Sequence, residues 1–432
     1  MKKLGTVVMA LLALVILAIL AMPDLLAISY DKNSVSETAK KVLPDAVAEK
    51  IIDDREVIQH VPLPELAMTI YMTSCVAGTK DFRANLVKLI EETEINSVII
   101  DVKDYSGTIS FPPLSDAWRP AWDNARCGTA DMKEFIAELH EKGIFVIARV
   151  TVFQDPYYTG VRPDLAVKKA DGVTVWKDHK GLSFIDVGAR EYWDHIIELA
   201  KDSYNIGFDE INFDYIRYPS DGPMTDISFT LSKDFPGDNN KQANLETFFS
   251  YLNDKMTDPE TFADFRHENT GREESIPWTS ADLFGMTTTN YDDLSIGQVQ
   301  DRAAPYFDFI APMVYPSHYP SNSFGYGNPN DYPYEIVYYA MKTGVERMEA
   351  STTPMQGFKH ERVGTSTPAV YEKPVYTADK FRTWIQDFDY GGDYDAADVR
   401  AQIQASYDAG VNSWMVWAPS NIYTRGAFQP AS

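Results

Sequence analysis

Eight short apolar runs recur between residues 66 and 418: LAMTIYM (66–72), SVIIDV (97–102), IFVIARVTVF (144–153), EINFDYI (210–216), WTSADLFGM (278–286), FDFIAPMVY (307–315), FRTWIQDF (381–388) and SWMVWA (413–418). Each has the length and the β-branched or aromatic content of a strand, FRTWIQDF being the weakest. Helical patterns lie between them, among them Ala130–Lys142 closed by Gly143, Ala189–Asn205, Asp293–Tyr306, and Ala396–Ala409 closed by Gly410. Strand and helix alternating eight times over about 365 residues predict an α/β chain folded as a (β/α)8 TIM barrel with long loop insertions. An open, doubly wound sheet shares the alternation, but no Gly-rich phosphate loop follows the first run.

The chain opens MKKLGTVVMALLALVILAILAMPD, uncharged from Leu4 to Pro23. That is about the length needed to cross a bilayer as a helix, and the lysines before it set the N-terminus in the cytoplasm. A cleaved signal peptide is the rival reading, although its apolar region is usually about 7–15 residues and ends in a small-x-small site. Either way the remainder is expected outside the cytoplasm, anchored to the membrane or secreted. The expected organisation is an anchor or signal segment (1–23), a polar stem (24–62) with an amphipathic stretch at Ala39–Ile52, and a barrel (63–428). Cys75 and Cys127, the chain's two cysteines, admit one disulfide and neither a disulfide framework nor a cysteine-based zinc site.

A net charge of −24 excludes the basic stripe with which proteins displace counterions from nucleic acid. Sugars are not repelled by such a surface, and 13% aromatic residues offer faces on which their rings can stack.

Barrel chemistry sits at the C-terminal strand ends. There the second run ends in Asp101-Val102-Lys103-Asp104, the third carries Arg149, the fourth ends at Asp214 and the fifth carries Asp282. The sixth leads to Tyr315 and His318, the seventh to Asp387 and the eighth to Trp417. Along the fourth run Glu210, Asn212 and Asp214 share one face, with Glu210 about 13 Å below Asp214 at a strand's rise per residue. Glu210 is therefore expected in a buried polar layer and Asp214 at the mouth, where glycoside hydrolysis would need a second carboxyl from another strand, Asp387 or Asp282. Arg217 could hold one carboxylate ionised, while Tyr215, Tyr218 and Trp417 could desolvate another. Asp101 and Lys103 share a face and suit either a barrel ion pair or the site.

His318 stands alone, which suits a substrate hydrogen bond better than metal ligation. DYGGDYD (389–395) lacks the spacing of a calcium loop, so no metal or cofactor is expected. The long connections 105–128, 219–277 and 318–335 are expected to wall a cleft.

The run GFDEINFDYIRYPSDG (207–222) resembles the signature of a "putative glycosyl hydrolase" family of (β/α)8 barrels, distantly similar to the alpha-amylase-like glycosidases. SVIIDVKDYSGTI (97–109), GIFVIARVTVFQDP (143–156), SADLFGM (280–286), IAPMVYPSHY (310–319), WIQDF (384–388) and AQIQASYDAGVNSWMVWAPSNIY (401–423) extend the resemblance in order. It implies a glycan-active barrel, with Asp214 as nucleophile, a fifth-strand acid as proton donor and Asp387 as stabilising carboxylate. The fifth-strand acid, Asp282, stands early in its run, so Asp101 or Asp104 could supply the proton instead. Lys103, Asp104, Arg149, Arg217, Tyr315, His318 and Trp417 are the expected substrate contacts. The expected activity is hydrolysis of an extracellular or cell-envelope polysaccharide; the alternative is a barrel that binds such a glycan without cleaving it.

Overall fold

The computed structural model describes residues 53–233 and 240–431. Eight parallel strands close into a barrel: β1 (Met68–Met72), β2 (Ser97–Lys103), β3 (Phe145–Thr151), β4 (Glu210–Asp214), β5 (Trp278–Phe284), β6 (Phe309–Met313), β7 (Thr383–Gln386) and β8 (Trp414–Trp417). Helices α1 (Lys80–Glu91), α2 (Met132–Glu141), α3 (Arg190–Asn205), α4 (Asn240–Met256), α5 (Pro333–Glu349) and α6 (Ala396–Asp408) lie between them. All eight apolar runs are strands, and closure excludes the open sheet.

Strand alternation sorts the side chains into two cores. Val98, Ile100, Val146, Ala148, Ile211, Phe213, Ala281 and Leu283 point outward into the large core under the helices. Tyr71, Ile99, Phe145, Ile147, Ala311, Trp384 and Met415 point inward. Buried on both faces, these strands read as near-continuous apolar runs, and most of the polar residues that interrupt them point inward from β2 to β5.

Those polar residues stack in a column. At the floor, Arg382 Nη1 donates to both oxygens of Glu210, at 2.7 and 2.6 Å, and both side chains are almost wholly buried. Ser280 Oγ donates to Glu210 at 2.6 Å and accepts from Asn212 Nδ2 at 2.9 Å; the same amide donates to Asp282. Glu210 thus occupies the buried layer expected for it. The pair also ties β4 to the start of β7, whose seam with β6 is short: Trp384 opposite Met313, with Phe381 just before the strand opposite Ile310.

The helix expected over Asp293–Tyr306 shrinks to one turn, Gln300–Ala303, followed by a 3-10 turn, Ala304–Tyr306. Leu294, Ser295 and Gly297 have φ of 49°, 59° and 85°, left-handed values that no α-helix continues. Gln298, freed from a helix, ties loops and strand instead: Oε1 accepts from Phe284 N at 2.9 Å, and Nε2 donates to Ile216 and Asp282 carbonyls at 3.3 Å.

Glu56–Ser432 forms one compact unit. Within it Cys75 and Cys127 are joined in a disulfide with Cα atoms 4.7 Å apart. The apolar run 4–23 and the stretch 39–52 lie outside the described residues. Among those that are described, no helix is long and apolar enough to cross a membrane.

Candidate active site

A cavity of about 210 Å³ opens at the C-terminal end of the barrel, with Arg149, Asp214 and Asp282 in its wall. Strand register brings them together. Phe213 is opposite Ala281, so the next residues, Asp214 and Asp282, stand side by side; Arg149 is opposite both Asp101 and Asn212. Asp282 looks early in its own strand, but the shear of the barrel raises it to the level of Asp214.

One guanidinium serves three carboxyl groups. Arg149 Nη1 donates to Asp101 at 2.6 Å, Nη2 donates to Asp214, and Nε lies 3.7 Å from Asp282 Oδ2. Because a single planar group touches both, Asp214 and Asp282 are no more than roughly 8 Å apart, below the outer limit of about 9.5 Å for paired glycosidase carboxylates. A single cation cannot neutralise three buried anions equally, and Arg149 reaches Asp282 least closely. Burial, reinforced by the charge of Asp214, pushes Asp282 up to about 8, against the opposing pull of Arg149 and of bonds from Asn212 and Trp384. Trp384 Nε1 and Asn212 Nδ2 both donate to Oδ1, at 2.7 and 2.9 Å, while Oδ2 makes no hydrogen bond. A proton on Oδ2, itself a buried atom, therefore has no acceptor within the protein. Burial also raises Asp101, which accepts a bond from the Tyr71 hydroxyl and sits behind Tyr71 and Arg149.

Asp214 is fixed by its own backbone as well. Tyr215 N donates to Asp214 Oδ1 at 2.5 Å, and Tyr215 has φ of 51°, a left-handed conformation that costs a bulky residue about 1–3 kcal/mol. The turn aims the Tyr215 ring into the cavity wall, where Arg217 stacks on it at 4.7 Å and on Phe284 at 4.9 Å.

The other sequence candidates fall into distinct places. Arg217 bonds the Tyr218 carbonyl at 3.0 Å and Ser220 at 3.2 Å, so the cation that meets Asp214 is Arg149. Asp101 and Lys103 do not pair, because the strand register shifts between them. Lys103 is instead wholly buried against Asp155 at 3.1 Å and the Thr151 carbonyl at 2.6 Å, away from the cavity. Asp104 caps its own turn, accepting from Ser106 N at 2.9 Å and Oγ at 2.5 Å. Asp387 accepts from Thr424 N and Oγ1 at 2.8 and 2.7 Å and faces a neighbouring groove rather than the trio; burial raises its carboxyl. Tyr315 packs in the wall 5.1 Å from Trp417. His318 stands at the rim, where burial lowers its pKa and favours the neutral ring. Tyr71, Phe284 and Trp384 line the cavity without having been singled out; each ends or fills an apolar run, which reads as core until the barrel is closed. Among the described residues no group of three histidine, cysteine or acidic side chains is arranged to hold a metal.

Residues 69–423 match a family model described as "Putative glycosyl hydrolase domain". The chain belongs to this glycosyl hydrolase family. No curated protein matches the sequence. The glycosyl hydrolase barrel is similar to the PgaB (BpsB) glycoside hydrolase domain from Bordetella bronchiseptica, with a TM-score of 0.54 and 12% identity over 88% of this chain and 99% of that one. It is also similar to alpha-L-fucosidase isoenzyme 2 from Paenibacillus thiaminolyticus, with a TM-score of 0.50 and 12% identity over 86% of this chain and 48% of that one. A hypothetical protein from Ruminiclostridium thermocellum is 26% identical over 46% of this chain and 95% of that one, with a TM-score of 0.38. At 12% identity the first two likenesses concern the barrel itself.

Proposed function

We propose that this glycosyl hydrolase cleaves an extracytoplasmic polysaccharide with Asp282 as general acid and Asp214 as the ionised partner. The observation that carries the reading is the Arg149 cluster, in which Asp282 is pushed up to about 8 beside an ion-paired Asp214. At neutral pH Asp282 Oδ2 holds a proton for the leaving glycosidic oxygen as the bond to the anomeric carbon breaks. Asp214 then either attacks that carbon or takes a proton from the water that does so. Arg149 positions Asp214, and Trp384 and Asn212 orient Asp282 by holding its other oxygen. Asp101 buttresses Arg149 from behind.

Export is supported by the Cys75–Cys127 disulfide, since such bonds persist in oxidising compartments. The uncharged run Leu4–Pro23 would hold the barrel to the outer face of a membrane.

The test is a panel of polysaccharides and nitrophenyl glycosides, assayed with wild type, Asp214→Asn and Asp282→Asn. Loss of the general acid should lower kcat by about 10²–10⁴ on alkyl or sugar leaving groups, and by less on nitrophenol, which departs without a proton. Asp214→Asn should lower both. Undiminished hydrolysis by Asp214→Asn removes the assignment, and glycan binding without cleavage by wild type would mark a binding barrel.

A further inference from the structure

We infer that the barrel mouth takes the end of a glycan chain, one terminal ring in the carboxyl cavity and the following rings in an adjoining aromatic groove, so that the protein acts from chain ends. The inference rests on the hydrolytic reading of the cavity and adds the form of the substrate.

The groove has a volume of about 720 Å³ and lies between the loops that follow β7 and β8. His318 and Trp417 line both spaces, so groove and cavity share a wall and communicate there. The two differ in size in an informative way. At about 210 Å³ the cavity is smaller than the roughly 300–1,000 Å³ of ordinary ligand sites, which suits a single sugar ring. The groove falls inside that range and suits several.

The cavity is also closed where a chain would have to continue. Beneath Asp214 and Asp282 the barrel is filled by Asn212, Ser280, Glu210 and Arg382, all fully or almost fully buried. The loops after β4 and β5 wall the side away from the groove with Tyr215, Arg217, Phe284 and Met286. His318 and Trp417, shared by the two spaces, give a chain its way out into the groove.

The groove carries the surface that a sugar chain needs. Tyr390 and Ile422 are 66% and 71% exposed, and Phe388 and Trp417 pack edge to face, with ring centres 5.0 Å apart, along the same wall. Large apolar side chains grouped at such exposure beside a cavity mark a binding face rather than chance. Asp387, Asp389 and Lys180 stand among them as acceptors and a donor for hydroxyls. Two carboxylates to one ammonium, on a chain of net charge −24, fit a neutral glycan and repel a polyuronate.

The experiment uses end-labelled cello-, malto- and chito-oligosaccharides from dimer to hexamer, with products resolved over time. Chain-end action predicts products one unit shorter from the first time point. It also predicts kcat/KM rising by about tenfold from dimer to tetramer, the gain expected of an aromatic platform. The double variant Tyr390→Ala, Ile422→Ala should flatten that rise, read as the ratio of kcat/KM on the tetramer to that on the dimer. Internal cuts from the outset, or a kcat/KM independent of length in wild type, overturn the inference while leaving the hydrolytic reading intact. If wild type cleaves no member of any series and no glycan of the wider panel, the hydrolytic reading falls and this one with it.

Discussion

Replacing Asp282 by asparagine separates its contribution to folding from its contribution to chemistry. The asparagine oxygen can still accept from Trp384 and Asn212, and its amide takes the place of the protonated Oδ2, so the packing of the cavity is kept. Asp282 titrates at about 8 in the folded protein against an ordinary value of 3.8. Between those values the folded state holds a proton that the unfolded chain has released, so this group weakens folding progressively as pH rises from about 4 to about 8. The slope is about 1.4 kcal/mol per pH unit, accumulating to roughly 5 kcal/mol by pH 8. Asp282→Asn carries no such titration. Urea unfolding followed by circular dichroism at pH 4 to 8 should therefore show the variant gaining on wild type across the whole interval, while its activity on sugar leaving groups collapses. Wild-type activity should in turn decline above about pH 8, where the acid loses its proton. Stability curves for wild type and variant that run parallel with pH would refute the reasoning, because a carboxyl that is already ionised at pH 5 cannot produce the divergence.

Two further perturbations probe the frame around the site. Arg382→Met leaves Glu210 buried without its counter-ion and should cost about 3–5 kcal/mol in urea unfolding, partly recovered by adding Glu210→Gln; a loss under about 1 kcal/mol would show that the tie between β4 and β7 is dispensable. Reducing the Cys75–Cys127 bridge, which closes a separation of 52 residues, should lower stability by about 4 kcal/mol through the freed entropy of the unfolded chain, measured as the unfolding midpoint with and without reductant.

The barrel was legible because its signal is local. Each strand announces itself by a few consecutive apolar residues, and Gly143 and Gly410 close α2 and α6 with φ of 70° and 94°. Asp293–Tyr306 misled for the same reason: its spacing of apolar residues suits a helix, but nothing in that spacing reports the left-handed turn at Leu294 and Ser295. The site was legible only in its membership. Asp214, Asp282, Asp101 and Arg149 could each be picked out at or near strand ends, but which of them meet depends on register between strands far apart in sequence. A one-residue slip between β4 and β5 would part Asp214 from Asp282. The partners of Lys103 and Arg217 were hidden likewise, the first by a register shift after Asp101 and the second by the sharp turn at Tyr215.

Trp384 has so far served as a fixed donor that holds one oxygen of Asp282. An indole joined at 2.7 Å to a group that ionises is also a chromophore reading a local charge. Its excited-state dipole responds to the electric field beside it, so proton release from Asp282 shifts the colour of its emission. The acid of this barrel thus carries an optical indicator in its own hydrogen bond. The difference in fluorescence between wild type and Asp282→Asn isolates that indicator from the remaining tryptophans, and the titration of one carboxyl can be followed by light in the unmodified protein.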